Sequence, residues 1–319
     1  MSITIAICTW NRAQMLSSCL ASLADLHGVE NTVDVVVVDN NSTDETQAVL
    51  AAHRRRLPMT IVDEPRQGLS HARNAALGRA TGDFVLWIDD DVRVDRGWLR
   101  AYARTLAERP DAAFLGGPVR PDFEGSPPHW LVDALPRIAY AYALIDLGPQ
   151  PFEFAAAPAL ATTGPAQRRA GAPAGPDIPF GANFGVSRRW LERHRFSTRL
   201  GRVGAGGILG EESDLLRRVL ADGGRGHWVP GAGVTHRIPR ERQTTSYLAA
   251  YFAMSGATQA LRNSARAHDA RLLGRSRRDV RAYLSASIRY FIRRASGDPR
   301  WVESLVQRSL ARGRLRRRS

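Results

Sequence analysis

The sequence predicts an α/β fold in which helices flank a mainly parallel, Rossmann-like central sheet, with a helical extension after it. Three observations carry this expectation. Over the first hundred residues, short apolar runs bounded by polar turns alternate with stretches of helical spacing, the pattern of right-handed βαβ units. The run from Val33 to Val38 is nearly unbroken Val around one Asp, as expected for a strand covered on both faces. Charge is also segregated: residues 262–319 hold 17 Arg against 4 acids, and the other 261 residues hold 28 Arg against 27 acids.

The elements follow in order. Ser2 to Cys8 is a first strand, and Thr9-Trp10-Asn11-Arg12 leads into a helix ending near Leu26. Val33 to Val38 ends in a polar turn, Asp39 to Asp44, whose Ser42 or Thr43 suits the cap of a helix from Glu45 to Arg55. Asp44 fits the same capping role better than contact with a ligand. Met59 to Val62 is a third strand, and Gly68 to Ala80 has helical spacing. Phe84 to Val92 then reads as a buried strand running into Asp89, Asp90 and Asp91. Trp98 to Leu106 is a helix and Ala112 to Val119 one strand. Pro and Ala dominate from Pro121 to Pro179, with residues 164–176 as a loop. Order returns at Phe180 to Val186, followed by a helix to about His194. A further helix opens at Glu211 to Leu215, strands lie near Gly226 to Val229 and at Val234-Thr235-His236, and the chain is helical after Thr244. The division expected is a domain over 1–240, containing an irregular insertion at 121–179, and a basic helical extension over 241–319.

Composition excludes several classes. Two cysteines, Cys8 and Cys19, are too few for a disulfide framework and read as free thiols of a cytoplasmic protein. There is no secretory leader pattern, and no apolar run long enough for a transmembrane helix. Gly204 to Gly210 reads GAGGILG, which has the wrong spacing and setting for a dinucleotide loop.

The strand-end acids carry the chemistry. At the C-terminal edge of a parallel sheet, where such folds bind ligands, three carboxylates converge on one small volume. Like charges that close raise each other's pKa unless a cation neutralises them, so a hard divalent ion holding a diphosphate is the simplest occupant. The alternative is a helix start decorated with acids.

Taken together, ICTWNR, VVDNNSTDET, SHARNAALGRATGD, WIDDD, PFGANFGVSRR, GEESDLLRR and VTHRI resemble the inverting family 2 glycosyltransferases of GT-A fold over roughly residues 3–240. The resemblance implies a metal-dependent enzyme using Mg²⁺ or Mn²⁺ and a nucleoside-diphosphate sugar donor, UDP being the expected carrier. Its acceptor would be a saccharide or lipid-linked glycan. Carried onto this chain, Thr9 and Asp39 would contact base and ribose, and Arg73 would lie near the nucleotide unless it is a surface arginine. The Asp-x-Asp motif falls on Asp89 and Asp91, with Asp90 between them on the nucleotide side. Asp91 would ligate the metal, Asp89 would bind ribose or reach the metal through water, and His236 at a strand end would complete the site. Gly181 and Asn183 match a glycine-rich loop near the sugars, where Gly permits close approach and unusual φ and the Asn amide can bond hydroxyls. The general base falls on Glu212, where family members commonly carry Asp; Glu211 and Asp214 remain candidates, and all three also suit a helix N-terminus.

Residues 280–295 place Val280, Leu284, Ile288 and Phe291 on one helical face, and four of the last seven residues are Arg. Peripheral contact with an anionic membrane competes with a helical extension packed on its own domain. Nucleic acid is not expected, because no recognisable binding module accompanies the charge. Two other functions are weighed. A sugar-nucleotide pyrophosphorylase would need a glycine-rich phosphate loop that CTWNRAQ does not supply, and a non-catalytic basic binding protein would need none of the acids.

Overall fold

The apolar runs become the centre of a sheet in the computed structural model, which describes residues 1–26, 33–154, 178–204, 206–263, 271–272 and 275–316. The expected loop at 164–176 lies outside the described residues, as do the last three residues. The chain divides into two compact units. One comprises Met1–Asp122, Ala143–Gly204 and Glu211–Arg237, and the other Phe123–Tyr142, Ala205–Gly210 and Ile238–Ser319. Two segments before residue 240, Phe123–Tyr142 and Ala205–Gly210, fall in the second unit.

The first unit opens with β1 (Ile3–Thr9), α1 (Ala13–Ala24), β2 (Val33–Asp39), α2 (Thr46–His53), β3 (Thr60–Asp63), α3 (Leu69–Leu77) and β4 (Phe84–Asp89). It continues through β5 (Val92–Val94), α4 (Trp98–Glu108), β6 (Phe114–Gly116) and β7 (Val119–Phe123). After α5 (His129–Ile138), which belongs to the second unit, come β8 (Phe152–Phe154), β9 (Asn183–Ser187), α6 (Arg188–Arg193) and β10 (Gly201–Val203). Past β11 (Gly206–Ile208), also of the second unit, α7 (Glu211–Ala221), β12 (Gly226–Trp228) and β13 (Val234–Ile238) complete it.

Among the described residues the main sheet has eight strands, in the order β3-β2-β1-β4-β9-β6-β12-β8. The pairs β3–β2, β2–β1, β1–β4 and β6–β12 are parallel, whereas β9 and β8 run against their neighbours. The expected mainly parallel sheet is present. Its centre is apolar on both faces: Ile5, Ile7, Val36, Val37, Val38, Phe84, Leu86 and Trp87 are all buried, each large side chain contributing about 1.5–3 kcal/mol by leaving water.

Local chemistry explains several departures from expectation. The stretch Ala112 to Val119 is two strands in two sheets, because Gly117-Pro118 breaks the run and Pro118 has no N–H for a ladder. Within the irregular 121–179 insertion a helix forms, with Pro136 inside it. The cap position of α2 is Glu45, which makes no side-chain cap bond; Asp44 just before it, rather than Ser42 or Thr43, bonds the first turn. One Asp44 oxygen accepts the Thr46 N–H at 3.1 Å and the other the Ala13 N–H at 3.0 Å, so one carboxylate fixes the starts of α1 and α2. Ser42 instead accepts the Asn11 N–H.

In the second unit α5 is joined by α8 (Thr245–Asn263), a two-stranded hairpin of β14 (Arg271–Leu272) and β15 (Arg275–Ser276), α9 (Arg277–Ala295) and α10 (Trp301–Leu315). Two glycines bring α8 and α10 together. A Cβ on Gly256 would strike the Leu310 carbonyl, and one on Gly313 the Ala253 carbonyl. Among the described residues no helix is long and apolar enough to cross a membrane.

Candidate active site

Register assembles the site. Thr9 pairs with Asp39 and Cys8 with Asp89, so β1, β2 and β4 end side by side at their C-terminal edge. Because β4 ends at Asp89 and the chain turns through Asp90 and Asp91 into β5, strand alternation stops there and the three acids take different directions.

Asp91 turns inward and is buried. Its Oδ2 lies 3.3 Å from His236 Nε2 and 3.1 Å from Arg12 Nη1. The His236 pairing is set by backbone: β13 lies antiparallel to β5, with His236 opposite Val92, and the Arg237 N–H donates to the Asp91 carbonyl at 2.8 Å. His236 therefore sits within β13 rather than at a strand end. Asp90 is also buried, accepting from the Thr9 hydroxyl and from Arg12 Nη1, each at 2.8 Å. The Thr9 hydroxyl proton is thus committed to Asp90. Burial raises the Asp90 carboxyl; Arg12 opposes it and Asp91 adds to it.

Asp89 takes a third direction. Its side chain is 35% exposed and its Oδ1 lies 3.6 Å from Arg73 Nη2. Desolvation, then Asp91, raise it to about 6 against the pull of Arg73. The three-ligand set Asp89, Asp91 and His236 is therefore not assembled, and among the described residues no group of three His, Cys, Asp or Glu side chains is arranged to hold a metal. What is assembled is a carboxylate–imidazole pair. That pair fits Mg²⁺ or Mn²⁺ in their usual manner, in which one or two protein ligands are completed by water and substrate phosphates.

Arg73 is the centre of the other half. It is 2% exposed, which excludes a surface helix arginine. Ser70, Ala72, Ala76 and Leu77 are buried on the same helix, and the guanidinium carbon lies 5.4 Å from the ring centres of both Phe184 and Phe196. Trp87 stacks on Phe184 at 5.2 Å and meets Phe196 edge-on at 5.3 Å. Within this aromatic frame Arg73 reaches Glu211 at 2.9 Å, the Gly181 carbonyl at 3.2 Å, and Glu212 at 3.9 Å. Burial pulls its pKa down, but Glu211, Asp89 and Glu212 together hold it up. Desolvation and then Glu212 raise Glu211 to about 7 against Arg73.

The three acids opening α7 are thus separated by their surroundings. Glu211 is 4% exposed and locked to Arg73. Glu212 has a side chain 14% exposed and lies against Gly181. Asp214 pairs with Arg218 at 3.0 Å, and Arg218 in turn bonds the Arg195 carbonyl. Leu215 and Leu216, both fully buried, fix this phase of the helix.

The glycine-rich loop splits in role. Gly181 is required for close approach, not for unusual φ: a Cβ there would come 2.9 Å from Arg73 Nη2 and 3.4 Å from the Glu212 carboxyl. The Asn183 side chain does not face a sugar. It is 0% exposed, accepts from Trp98 Nε1 and Tyr102 OH at 2.9 Å each, and donates to the carbonyls of Pro118 and Ala232. Asp39 is 3% exposed and closes its own turn, accepting from the Ser42 N–H at 2.9 Å and from Gln47 Nε2 at 2.7 Å. Arg12 is the site residue that sequence reasoning missed; its signal was an arginine three positions past the end of the first strand.

Strand-end acids on a mainly parallel sheet thus face a buried arginine and a second acidic pair, on an α/β fold of GT-A type. Residues 4–154 match the model of the family described as Glycosyl transferase family 2. The chain is 35% identical over 132 residues to the succinoglycan biosynthesis protein ExoM of Rhizobium meliloti, covering 40% of this chain and 42% of the relative. It is 30% identical over 110 residues to the poly(ribitol-phosphate) beta-N-acetylglucosaminyltransferase TarS of Staphylococcus aureus, covering 34% of this chain and 19% of the relative. The chain thus spans less than half the length of these curated relatives. Two solved structures share the fold. S. aureus TarS 1-349 in complex with UDP-GlcNAc has a TM-score of 0.55 at 16% identity, covering 82% of this chain and 67% of the other. The mannosyltransferase PcManGT of Pyrobaculum calidifontis, in complex with GDP-Man and Mn2+, has a TM-score of 0.54 at 18% identity, covering 97% of this chain and 86% of the other.

Proposed function

We propose that this chain transfers a glycosyl group, with inversion, from a nucleoside-diphosphate sugar to a hydroxyl of a saccharide or lipid-linked glycan, with UDP as the carrier. The observation that carries the reading is the meeting of two acidic groups across Arg73, Asp89 of β4 at 3.6 Å and Glu211 of α7 at 2.9 Å. Leaving-group and acceptor chemistry need carboxylates in both places. The family 2 match supports the class, and neighbours solved with UDP-GlcNAc or with GDP-Man and Mn2+ support the donor type.

In this reading the ends of β1 and β2, at Thr9 and Asp39, flank the nucleoside, and the part-exposed Asp89 faces the ribose. Asp91 and His236 would hold Mg²⁺ or Mn²⁺, which when bound neutralises the departing diphosphate. Glu212 takes the proton of the acceptor hydroxyl as its oxygen bonds to the anomeric carbon. The bond from that carbon to the phosphate oxygen breaks on the opposite face, and the nucleoside diphosphate leaves. Arg73 holds Glu211 aside, which leaves Glu212 as the carboxylate turned toward the acceptor.

The test is a thermal-shift panel of UDP, GDP, dTDP and CDP, each with Mn²⁺ or EDTA. Ligands that bind only the folded state raise the midpoint by mass action. A metal-dependent shift with one nucleotide is expected, lost in Asp91→Asn and retained in Glu212→Gln, whose transfer activity is abolished. No shift with any nucleotide in folded protein overturns the reading.

A further inference from the structure

The two faces of α9 differ in character. Toward α10 it turns Tyr283, Ala286 and Tyr290: Ala286 is 1% exposed, and the Arg308 guanidinium lies 5.9 and 5.4 Å from the two tyrosine rings. Leu284, Ile288, Phe291 and Ile292 follow at helical spacing on the outer stripe, with Phe291 at its edge, its ring 5.3 Å from the same guanidinium. They stand between 55% and 63% exposed. Four large apolar side chains in one contiguous stripe mark an interaction surface, whereas scattered single ones do not.

The charge around this stripe says what covers it. Arg277 and Arg281 continue it by one-turn steps toward the start of α9, and both are exposed, as are Arg278 and Arg289 on the same helix. The acids of residues 276–316 are each held by an arginine: Asp279 by Arg314 at 2.6 Å, Asp298 by Arg300 at 2.8 Å and Glu303 by Arg137 at 3.0 Å. They do not neutralise the stripe. A second copy of this chain would bring the same cationic surface and be repelled.

We propose that the outer stripe of α9 docks on an anionic lipid bilayer. Its four apolar side chains would enter the boundary between headgroups and acyl chains, and Arg277 and Arg281 would lie at headgroup phosphates. A helix with an apolar stripe and cationic flanks lies in the membrane plane in this way, drawn by burial and by charge together. The inference rests on the second unit alone and stands apart from the catalytic reading.

The test is flotation of the full chain with phosphatidylcholine vesicles, with and without about a third phosphatidylglycerol. Binding is expected only to the anionic vesicles, weakening as salt rises. Arg277→Gln/Arg281→Gln is expected to lower partition about thirty-fold, and Ile288→Gln/Phe291→Gln by at least about ten-fold. Because all four positions are exposed, the thermal midpoint and the nucleotide shift should not move, which separates lost docking from lost folding. The proposal is overturned if the wild type does not float with anionic vesicles, or if the apolar double variant floats as well as wild type. It is equally overturned if light scattering shows a dimer that the apolar variant dissociates and no vesicle binding occurs.

Discussion

Arg73 and Glu211 form a buried ion pair, Nη1 to Oε1 at 2.9 Å, with the two residues only 2% and 4% exposed. They lie 138 positions apart in the chain, so the pair ties α3 to the start of α7. Removing one partner of such a pair leaves an uncompensated buried charge, at a cost of about 3–5 kcal/mol. Arg73→Met should therefore lower the unfolding free energy by about that much in a denaturant titration. Replacing both, Arg73→Met with Glu211→Leu, should recover much of the stability. Neither variant should transfer sugar, because Glu212 loses the frame that orients it.

The same pair predicts a pH dependence. Glu211 is raised to about 7 by burial and by Glu212, whereas a free glutamate titrates near 4.3. Between those values the folded state holds a proton that the unfolded state has released, so stability falls as pH rises. The contribution is fully present below about pH 4 and lost as pH passes about 7. Glu211→Gln lacks this titration. In EDTA its melting temperature relative to wild type should climb across that window and level off above it; a flat difference would show that Glu211 ionises normally.

Asn183 predicts stability without specificity. Its amide satisfies an indole, a phenol and two carbonyls in a site with no exposed surface. Each buried polar group left without a partner costs about 1–3 kcal/mol. Asn183→Ala should thus lose roughly 3 kcal/mol or more, measured by denaturant unfolding. Nucleotide affinity in the protein that stays folded should be unaltered, and a selective loss of donor binding would put the side chain in the sugar site after all.

The strands and their acidic ends were legible because burial writes itself into sequence. Val33 to Val38 and Phe84 to Ile88 can only be interior, and three Asp at the end of such a run can only be at its rim. The frame behind them was harder to read. Arg73 shares the buried face of α3 with Ala76 and Leu77, and that spacing was visible, but an arginine on a core face is the exception. It is tolerated here because Phe184, Phe196 and Glu211, far along the chain, enclose it. Asn183 was misplaced for the same reason: its partners Trp98 and Tyr102 are 85 and 81 positions away, and no local pattern announces them. The break after Gly116 is different, since Gly117-Pro118 is a local strand-stop and could have been read directly.

Arg12 yields the last prediction. Its Nη1 lies 2.8 Å from Asp90 and 3.1 Å from Asp91, so one cation is shared by two buried carboxylates. Its own side chain is 31% exposed, and solvent screening reduces its worth below that of the Arg73 pair. Arg12→Gln should cost about 1–3 kcal/mol in EDTA, as hydrogen bonds to charged groups do. In the proposed metal site Mn²⁺ would supply the missing positive charge at Asp91, so the ion should raise the melting temperature of the variant more than that of wild type. An equal rise in both proteins would mean that Arg12 and the metal do not share the carboxylates.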